Sequence, residues 1–365
     1  MQKVHDLLKE HLGKTYTAVS VEIRQHGATL FRAAYGSLDP DGQSDGPAAR
    51  TDSYFDFASL TKLFTTTAFF RILDTGKIAL DTPVSSILSA FTGPRAIEPY
   101  PNPLNIGELI RVVPATNKML DAGAVTFEHL LTHSSGLPAW LNLRDKESEP
   151  ERIEMCLSTS FAYPTGSRTL YSDIGYTLLG KAIEHLTDRP LDSAMKVLVT
   201  KPLELSTRYG VVPPINTAPT EFCAWRKRRL VGEVHDENSA TLGGIAGHAG
   251  LFGTATDVAT LGQVYLDQGG GFISPRLAAN ATRPHIEDRG LGWLMYTPEG
   301  PGGSFMSSKS YGHTGFVGTS LWIDPESELV CVALSNAVFY GRDRERLFAF
   351  RRAFHDCVIG ALKGT

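Results

Sequence analysis

From Ser59 to Thr75 the chain carries a helical stretch that is apolar almost all the way round, and a helix of that kind is buried. Leu60, Leu63, Phe64, Ala68, Phe69, Phe70, Ile72 and Leu73 surround its axis, most of the remainder are threonines, and Gly76 stops it. The fold must therefore cover this segment on every side. Into it the sequence places Ser59 and Lys62, which at i and i+3 share a face. A desolvated ammonium is costly unless paired, and burial lowers its pKa. A lysine depressed in this way is what a serine hydroxyl needs as a base. Ser59 also falls at the helix N-terminus, where unpaired N–H groups and the macrodipole favour developing negative charge. A second reading makes Ser59 an N-cap and Lys62 a snorkelling surface side chain.

Ser-x-x-Lys alone is a weak pattern, and it occurs twice. In "PLDSAMKVLV" the apolar residues Leu191, Ala194, Met195, Leu198 and Val199 form one helical face, which puts Ser193 and Lys196 on the opposite, watery one. Only the first pair sits in an apolar setting.

The flanks differ from the middle. "YTAVSVEIR" and "ATLFRAAYG" predict two strands joined at Gln25-His26-Gly27, and "GLGWLMY", "GHTGFVGTSLWID" and "ELVCVALSN" predict more near the end. The first twenty residues and the segment from Asp343 predict amphipathic helices. Between them lie helical patterns at 126–137, 174–187, 190–200 and 256–267, a polar turn-rich loop at 37–50, and irregular stretches at 91–125, 138–168 and 206–253. The expected class is α+β. One antiparallel sheet built by both termini (1–58 and 255–365) and flanked by terminal helices would hold an inserted, mainly helical domain (59–254), with the active site between them.

Three motifs follow one another in order: Ser59-Leu60-Thr61-Lys62, Tyr171-Ser172-Asp173 on a loop leading into a helix, and His313-Thr314-Gly315 in a strand. With the accessory stretches "LLTHSSGL" (130–137) and "AGLFGTATDVA" (249–259), the chain resembles, along nearly its whole length, the serine hydrolases of the β-lactamase and penicillin-binding-protein superfamily. The similarity extends to its class C and esterase members. It implies an acyl-enzyme on Ser59, with Lys62 and Tyr171 moving the proton as one coupled unit. It also implies an oxyanion hole from the N–H groups of Ser59 and Phe316, a cleft lined by Asp173, His313, Thr314 and Gly315, and no cofactor.

Two positions depart from the superfamily pattern. His313 stands where penicillin-recognising relatives have lysine, and histidine carries charge only part of the time near neutrality. Asp173 stands for asparagine; a carboxylate only accepts hydrogen bonds, and its charge raises the pKa of a nearby lysine. Both fit an esterase or an amidase for uncharged or cationic acyl substrates, with an esterase on small acyl esters expected ahead of a β-lactamase or D-amino-acid peptidase. A transacylase would use the same residues, and a catalytically silent binding protein would need none of Ser59, Lys62 and Tyr171 together. His248, among five glycines, is a candidate for the acyl pocket or a packed side chain.

Other classes find little support. A net charge of −4 gives no basic field for nucleic acid or anionic membrane. Cys156, Cys223, Cys331 and Cys357 are scattered and read as buried small hydrophobes. His129 and His133 have zinc-like i, i+4 spacing without His-Glu-x-x-His or a third ligand, so no metal site is expected. Gly269-Gly270-Gly271 reads as a helix cap rather than a phosphate cradle. No run of 18 apolar residues predicts a membrane span, and the N-terminal stretch lacks the apolar core of a leader, so a cytoplasmic location is expected unless a leader has been removed. The partner expected is a small acyl substrate.

Overall fold

The computed structural model describes residues 1–42, 46–105 and 107–364; part of the loop expected at 37–50 lies outside them. Six strands form an antiparallel sheet in the order β3-β4-β5-β6-β1-β2. These are β1 (Ala18–Gln25), β2 (Ala28–Gly36), β3 (Leu294–Met295), β4 (Tyr311–Thr314), β5 (Ser320–Asp324) and β6 (Leu329–Ser335). Gln25 pairs with Ala28 across His26 and Gly27, both at positive φ (53° and 75°), the two-residue turn that matches strand twist. The sheet thus joins the first strands of the chain to the last, as its sequence pattern indicates.

Ten helices are present among the described residues: α1 (Gln2–Glu10), α2 (Thr61–Leu73), α3 (Phe127–Leu131), α4 (Glu149–Ser158), α5 (Asp173–Thr187), α6 (Leu191–Met195), α7 (Glu237–Thr241), α8 (Ala255–Leu266), α9 (Pro275–Ala281) and α10 (Arg344–Lys363). None is long and apolar enough to cross a membrane. Strand alternation divides the sheet's side chains between two cores. Val19, Val21, Ile23, Cys331 and Ala333 pack with Val4 and Leu8 of α1 and Phe350, Phe354 and Val358 of α10. Leu321, Ile323, Val330, Val332 and Leu334 pack with Val258, Ala259 and Leu261 of α8, in a core that continues through α2 and α5. Gly262 lets α8 lie close: a Cβ there would meet Val330 Cγ1 at 2.9 Å.

Every residue of α2 except Arg71 is buried. Its threonines are not surplus polarity. Thr67 Oγ1 donates to the Leu63 carbonyl at 2.7 Å and lies 2.9 Å from the Tyr265 hydroxyl, Thr66 Oγ1 lies 2.9 Å from the Tyr176 hydroxyl, and Thr65 Oγ1 donates to the Gly247 carbonyl at 2.7 Å. Each buried hydroxyl has a partner, as a buried polar group requires.

Helices α4 and α7 fall in stretches the pattern left irregular, α9 in one it left unassigned, and short paired strands lie at 94–121 and 222–229. α4 opens with a capping box, Ser148 with Glu151, and α9 with Ser274 ahead of Pro275. Both are recognised start signals, obscured by short helices of weak periodicity. Between 206 and 253, Phe222–Cys223 pairs with Arg228–Arg229.

The glycine-rich stretch 243–250 earns its composition at Gly247. A Cβ there would lie 2.1 Å from the Tyr176 carbonyl oxygen and 3.0 Å from the Gly180 nitrogen, so only glycine lets α5 seat against the loop. Gly247→Ala is expected to force these backbones apart and to destabilise the protein by about 1–3 kcal/mol or more. A thermal midpoint equal to that of the unsubstituted chain would contradict this close approach.

Candidate active site

The strand–turn–helix entry to α2 determines where Ser59 points. Phe55–Asp56 pairs with Phe252–Gly253, and Ala58 follows at φ +46°, a strained value for a residue with a Cβ. Asp56 Oδ1 accepts the Ala58 N–H at 2.8 Å and supports that bend. Ser59 then lies in a short 3₁₀ turn, Ala58–Leu60, ahead of α2. Its hydroxyl caps neither helix, so the N-cap reading is set aside. Lys62 is 0% exposed, which removes the snorkelling reading.

Lys62 Nζ donates to Ser59 Oγ at 3.0 Å and to the His248 carbonyl at 3.1 Å, and pairs with Asp173 Oδ1 at 2.7 Å. It also lies 4.7 Å from the centre of the Tyr171 ring. Burial pulls this ammonium down, but Asp173 and Tyr171 outweigh burial and lift Lys62 above the ordinary lysine range. The expectation of a depressed lysine is therefore corrected, because a carboxylate sits in direct contact with the buried charge. Burial likewise pushes Tyr171 up; Lys62 draws it back, Asp173 adds to the rise, and the net shift is upward. The Tyr171 hydroxyl is buried and interacts with Lys62 and Ser59. The resting pair is thus an ammonium beside a neutral phenol.

His313 donates from Nδ1 to the Thr314 carbonyl at 2.9 Å, which leaves Nε2 as its acceptor. Burial, then Lys62 and Arg289, push it down to about 3, so it is uncharged near neutrality. Gly315 brings this strand against the nucleophile segment: a Cβ would lie 2.4 Å from the Phe57 carbonyl oxygen. The N–H groups of Ser59 and Phe316 donate to no protein acceptor among the described residues.

Ser59, Tyr171, His313, Thr314, Gly315 and Phe316 line one cavity of about 390 Å³. Asp173 is committed to Lys62 and is not part of that lining. His248 does not line it either. Its ring is buried between Asp236 (Nε2 to Oδ1, 2.9 Å) and Thr177 (Nδ1 to Oγ1, 3.0 Å), and only its carbonyl reaches the site, through Lys62.

The same cavity holds residues that pattern reasoning missed: Arg289, Arg344 and Arg351. Arg289 lies 5.6 Å from the Tyr171 ring centre. Arg351 donates to the Gly315 carbonyl at 2.5 Å and the Thr319 carbonyl at 2.9 Å. Burial, then Arg344, lower it to about 9, still charged at neutrality. His133, considered only as half of a zinc pair, instead accepts the Ser172 N–H on Nδ1 at 3.0 Å and packs on Tyr171 with ring centres 4.5 Å apart. Its partner His129 accepts the Thr126 N–H at 3.1 Å and so caps α3. Arginines scattered over sixty residues carry no local spacing by which to group them; His133 lay inside "LLTHSSGL", a signal that was present.

The family model described as Beta-lactamase matches residues 4–355. The chain belongs to the beta-lactamase family. Among curated relatives, an N-acetylmuramyl-L-alanine amidase of Bacillus subtilis strain 168 is 31% identical, over 92% of this chain and 80% of its own length. A Salmonella typhimurium protein whose name, D-alanyl-D-alanine carboxypeptidase, is provisional is 30% identical over 92% and 83%. Of solved structures, EstCE1, described as a hydrolase with promiscuous acyltransferase activity, superposes with TM-score 0.76 at 20% identity, covering 98% of each chain. An octameric penicillin-binding protein homologue from Pyrococcus abyssi gives 0.71 at 19%, covering all of this chain and 77% of that one. The family member described here is a serine hydrolase of the β-lactamase and penicillin-binding-protein fold.

Because Asp173 raises both Lys62 and Tyr171, Asp173→Asn is expected to lower the pKa of each. The pH at which Ser59 becomes reactive toward a fluorophosphonate then moves downward. A reactivity profile with an unmoved midpoint would show that Asp173 does not control the base.

Proposed function

We propose that the chain forms an acyl-enzyme on Ser59 and hydrolyses amides or esters that carry a carboxylate, with cleavage next to a D-amino acid as the favoured case. The observation that carries the substrate half is the trio Arg289, Arg344 and Arg351 around the same cavity as Ser59, with no acidic residue in its lining. From His313 and Asp173 alone, the expected substrates are esters or amides with uncharged or cationic acyl groups. Arg344, and Arg289 beside Asp288 at 3.4 Å, argue for an anion instead, since arginine matches carboxylate geometry and keeps its charge, while Arg351 is bound to backbone carbonyls and adds charge to the cleft. The names of the amidase and carboxypeptidase relatives agree with a peptide-like substrate.

The chemistry balances as follows. Lys62 donates to Ser59 Oγ, so the Ser59 O–H remains to be given away. Tyr171, as the minor phenolate stabilised by the Lys62 ammonium, accepts that proton while Oγ bonds to the acyl carbon. The carbonyl oxygen becomes an oxyanion between the N–H groups of Ser59 and Phe316. When the oxyanion collapses, the bond to the leaving nitrogen or oxygen breaks and Tyr171 returns the proton to it. A water then repeats the sequence to release the acid and restore Ser59. Lys62 stays charged throughout, held by Asp173 and the His248 carbonyl.

Two substitutions test the two halves. Ser59→Ala is expected to abolish turnover of an acylated D-alanyl-D-alanine peptide and of p-nitrophenyl acetate alike. Arg289→Gln is expected to lower kcat/KM for the free peptide about 10- to 100-fold, the loss of one charge-assisted contact, while leaving the C-terminal amide of that peptide nearly unaffected. Equal losses on acid and amide would argue against a carboxylate at Arg289. Turnover surviving in Ser59→Ala would overturn the acyl-enzyme.

A further inference from the structure

Phe316, the residue whose N–H stands as the second oxyanion donor, is half-buried, and two polar side chains pack on its ring. The His235 imidazole stacks on it with centres 5.7 Å apart and planes 25° apart, and the Arg342 guanidinium lies 5.4 Å from its centre. Both belong to one charged cluster. His235 Nε2 lies 3.0 Å from Glu221 Oε1; Arg342 Nη2 lies 2.6 Å from the same oxygen and 2.7 Å from Glu237 Oε1. Burial pushes Glu221 up, but His235 and Arg342 outweigh it and hold the carboxyl at about 2. Glu221 and Arg342 therefore stay ionised at any working pH.

The same histidine reaches the other donor. Its backbone N–H gives a 2.6 Å hydrogen bond to Asp56 Oδ2, while Asp56 Oδ1 accepts the N–H of Ala58, next to Ser59, at 2.8 Å. Asp56 and His235 are 2% and 4% exposed. A continuous run of short contacts thus links the turn that carries Ser59 to the ring of Phe316, two segments more than 250 residues apart in the chain.

We propose that His235, with Asp56, Glu221 and Arg342, is a positioning unit that sets the spacing between the oxyanion donors of Ser59 and Phe316. The inference rests on the acyl-enzyme reading above. An oxyanion hole works only when both donors meet the position of the developing charge, at hydrogen-bond length. Misplacement by a fraction of an ångström is costly in rate without altering ground-state binding. The peptide that carries the Phe316 N–H is held at its other end, where the Gly315 carbonyl accepts from Arg351, and the Phe316 ring offers a second handle, on the side of His235.

The test compares His235→Ala, His235→Phe and the partly exposed Arg342→Gln. It measures the rate of Ser59 labelling by a fluorophosphonate, kcat and KM for p-nitrophenyl acetate, and the thermal midpoint. His235→Ala is expected to cut labelling and kcat about 10- to 100-fold with KM within about twofold. His235→Phe, which keeps a ring against Phe316, is expected to recover most of that loss, and Arg342→Gln to lose a few-fold. Native labelling rates in both His235→Ala and Arg342→Gln would overturn the proposal, as would a His235→Phe no better than His235→Ala. If His235→Ala does not fold, a native rate in Arg342→Gln decides against the unit. A native chain that the probe leaves unlabelled at Ser59 would instead sink the hydrolase reading, and the positioning unit with it.

Discussion

Everything in this structure is arranged around a positive charge with no access to water. An ammonium inside an apolar helix is tolerated only if several partners meet it, because desolvation alone costs several kcal/mol. Lys62 takes them from three places: Ser59 one turn before it, Asp173 at the start of α5, and the His248 carbonyl in the glycine-rich loop. Those elements cannot separate without stranding the charge. The contact that prepares the chemistry is therefore also one that fixes how α2, α5 and the loop 243–250 assemble. The close approach of Gly247 to Tyr176 and Gly180 is the backbone counterpart of the same requirement.

The charge of Asp173 then sets the character of the site. It lifts Lys62 and Tyr171 in the same direction, so the pair rests fully protonated and, in the proposed mechanism, reacts from a minor form. The retained ammonium, together with Arg289, in turn discourages further positive charge. His133 and His313 are both pushed down, by burial first and then by these two cations. Two imidazoles near the reaction centre are thus neutral hydrogen-bonding groups, and the cleft's fixed positive charge is left to its arginines. The histidine in the third motif does not substitute for the missing lysine as a cation; the arginines take that place from other elements.

How much of this was legible in the sequence follows from the range of each interaction. Strand alternation, the apolar helix after Ser59 and the turn at His26-Gly27 are local patterns, and the fold class and sheet strands follow from them. Ser59, Lys62, Tyr171, His313 and Phe316 meet at one place as the ordered motifs imply. The sign of the Lys62 shift was not legible, because it depends on a 2.7 Å contact across more than a hundred residues; burial by itself gives the opposite answer. The arginines of the cleft come from the loop before β3 and from α10, where each reads as an ordinary surface charge. His248 drew attention through its glycine setting, yet it is the carbonyl, a group that sequence never distinguishes, that reaches the lysine.

Ser59 and Lys62 lie on α2 and the turn before it, whereas His313-Thr314-Gly315 and Phe316 belong to β4 and the bend after it. The proposed mechanism straddles these two elements and needs them packed as one. The core that runs from β5 and β6 through α8 into α2 and α5 provides that at the scale of the fold. At the scale of the proposed oxyanion hole, apolar packing is non-directional and sets spacing without aiming an N–H. Directional contacts are needed there: Thr319 Oγ1 on the Phe57 carbonyl at 3.0 Å, Arg351 on the Gly315 carbonyl, and Asp56 on both Ala58 and His235. Thr319 ties the sheet, and Asp56 the loop that carries His235, to the turn before Ser59, while Arg351 holds the bend after β4 from α10. The buried polar groups at that seam add to the steric fit the angular preference of hydrogen bonds, which fixes where an N–H points.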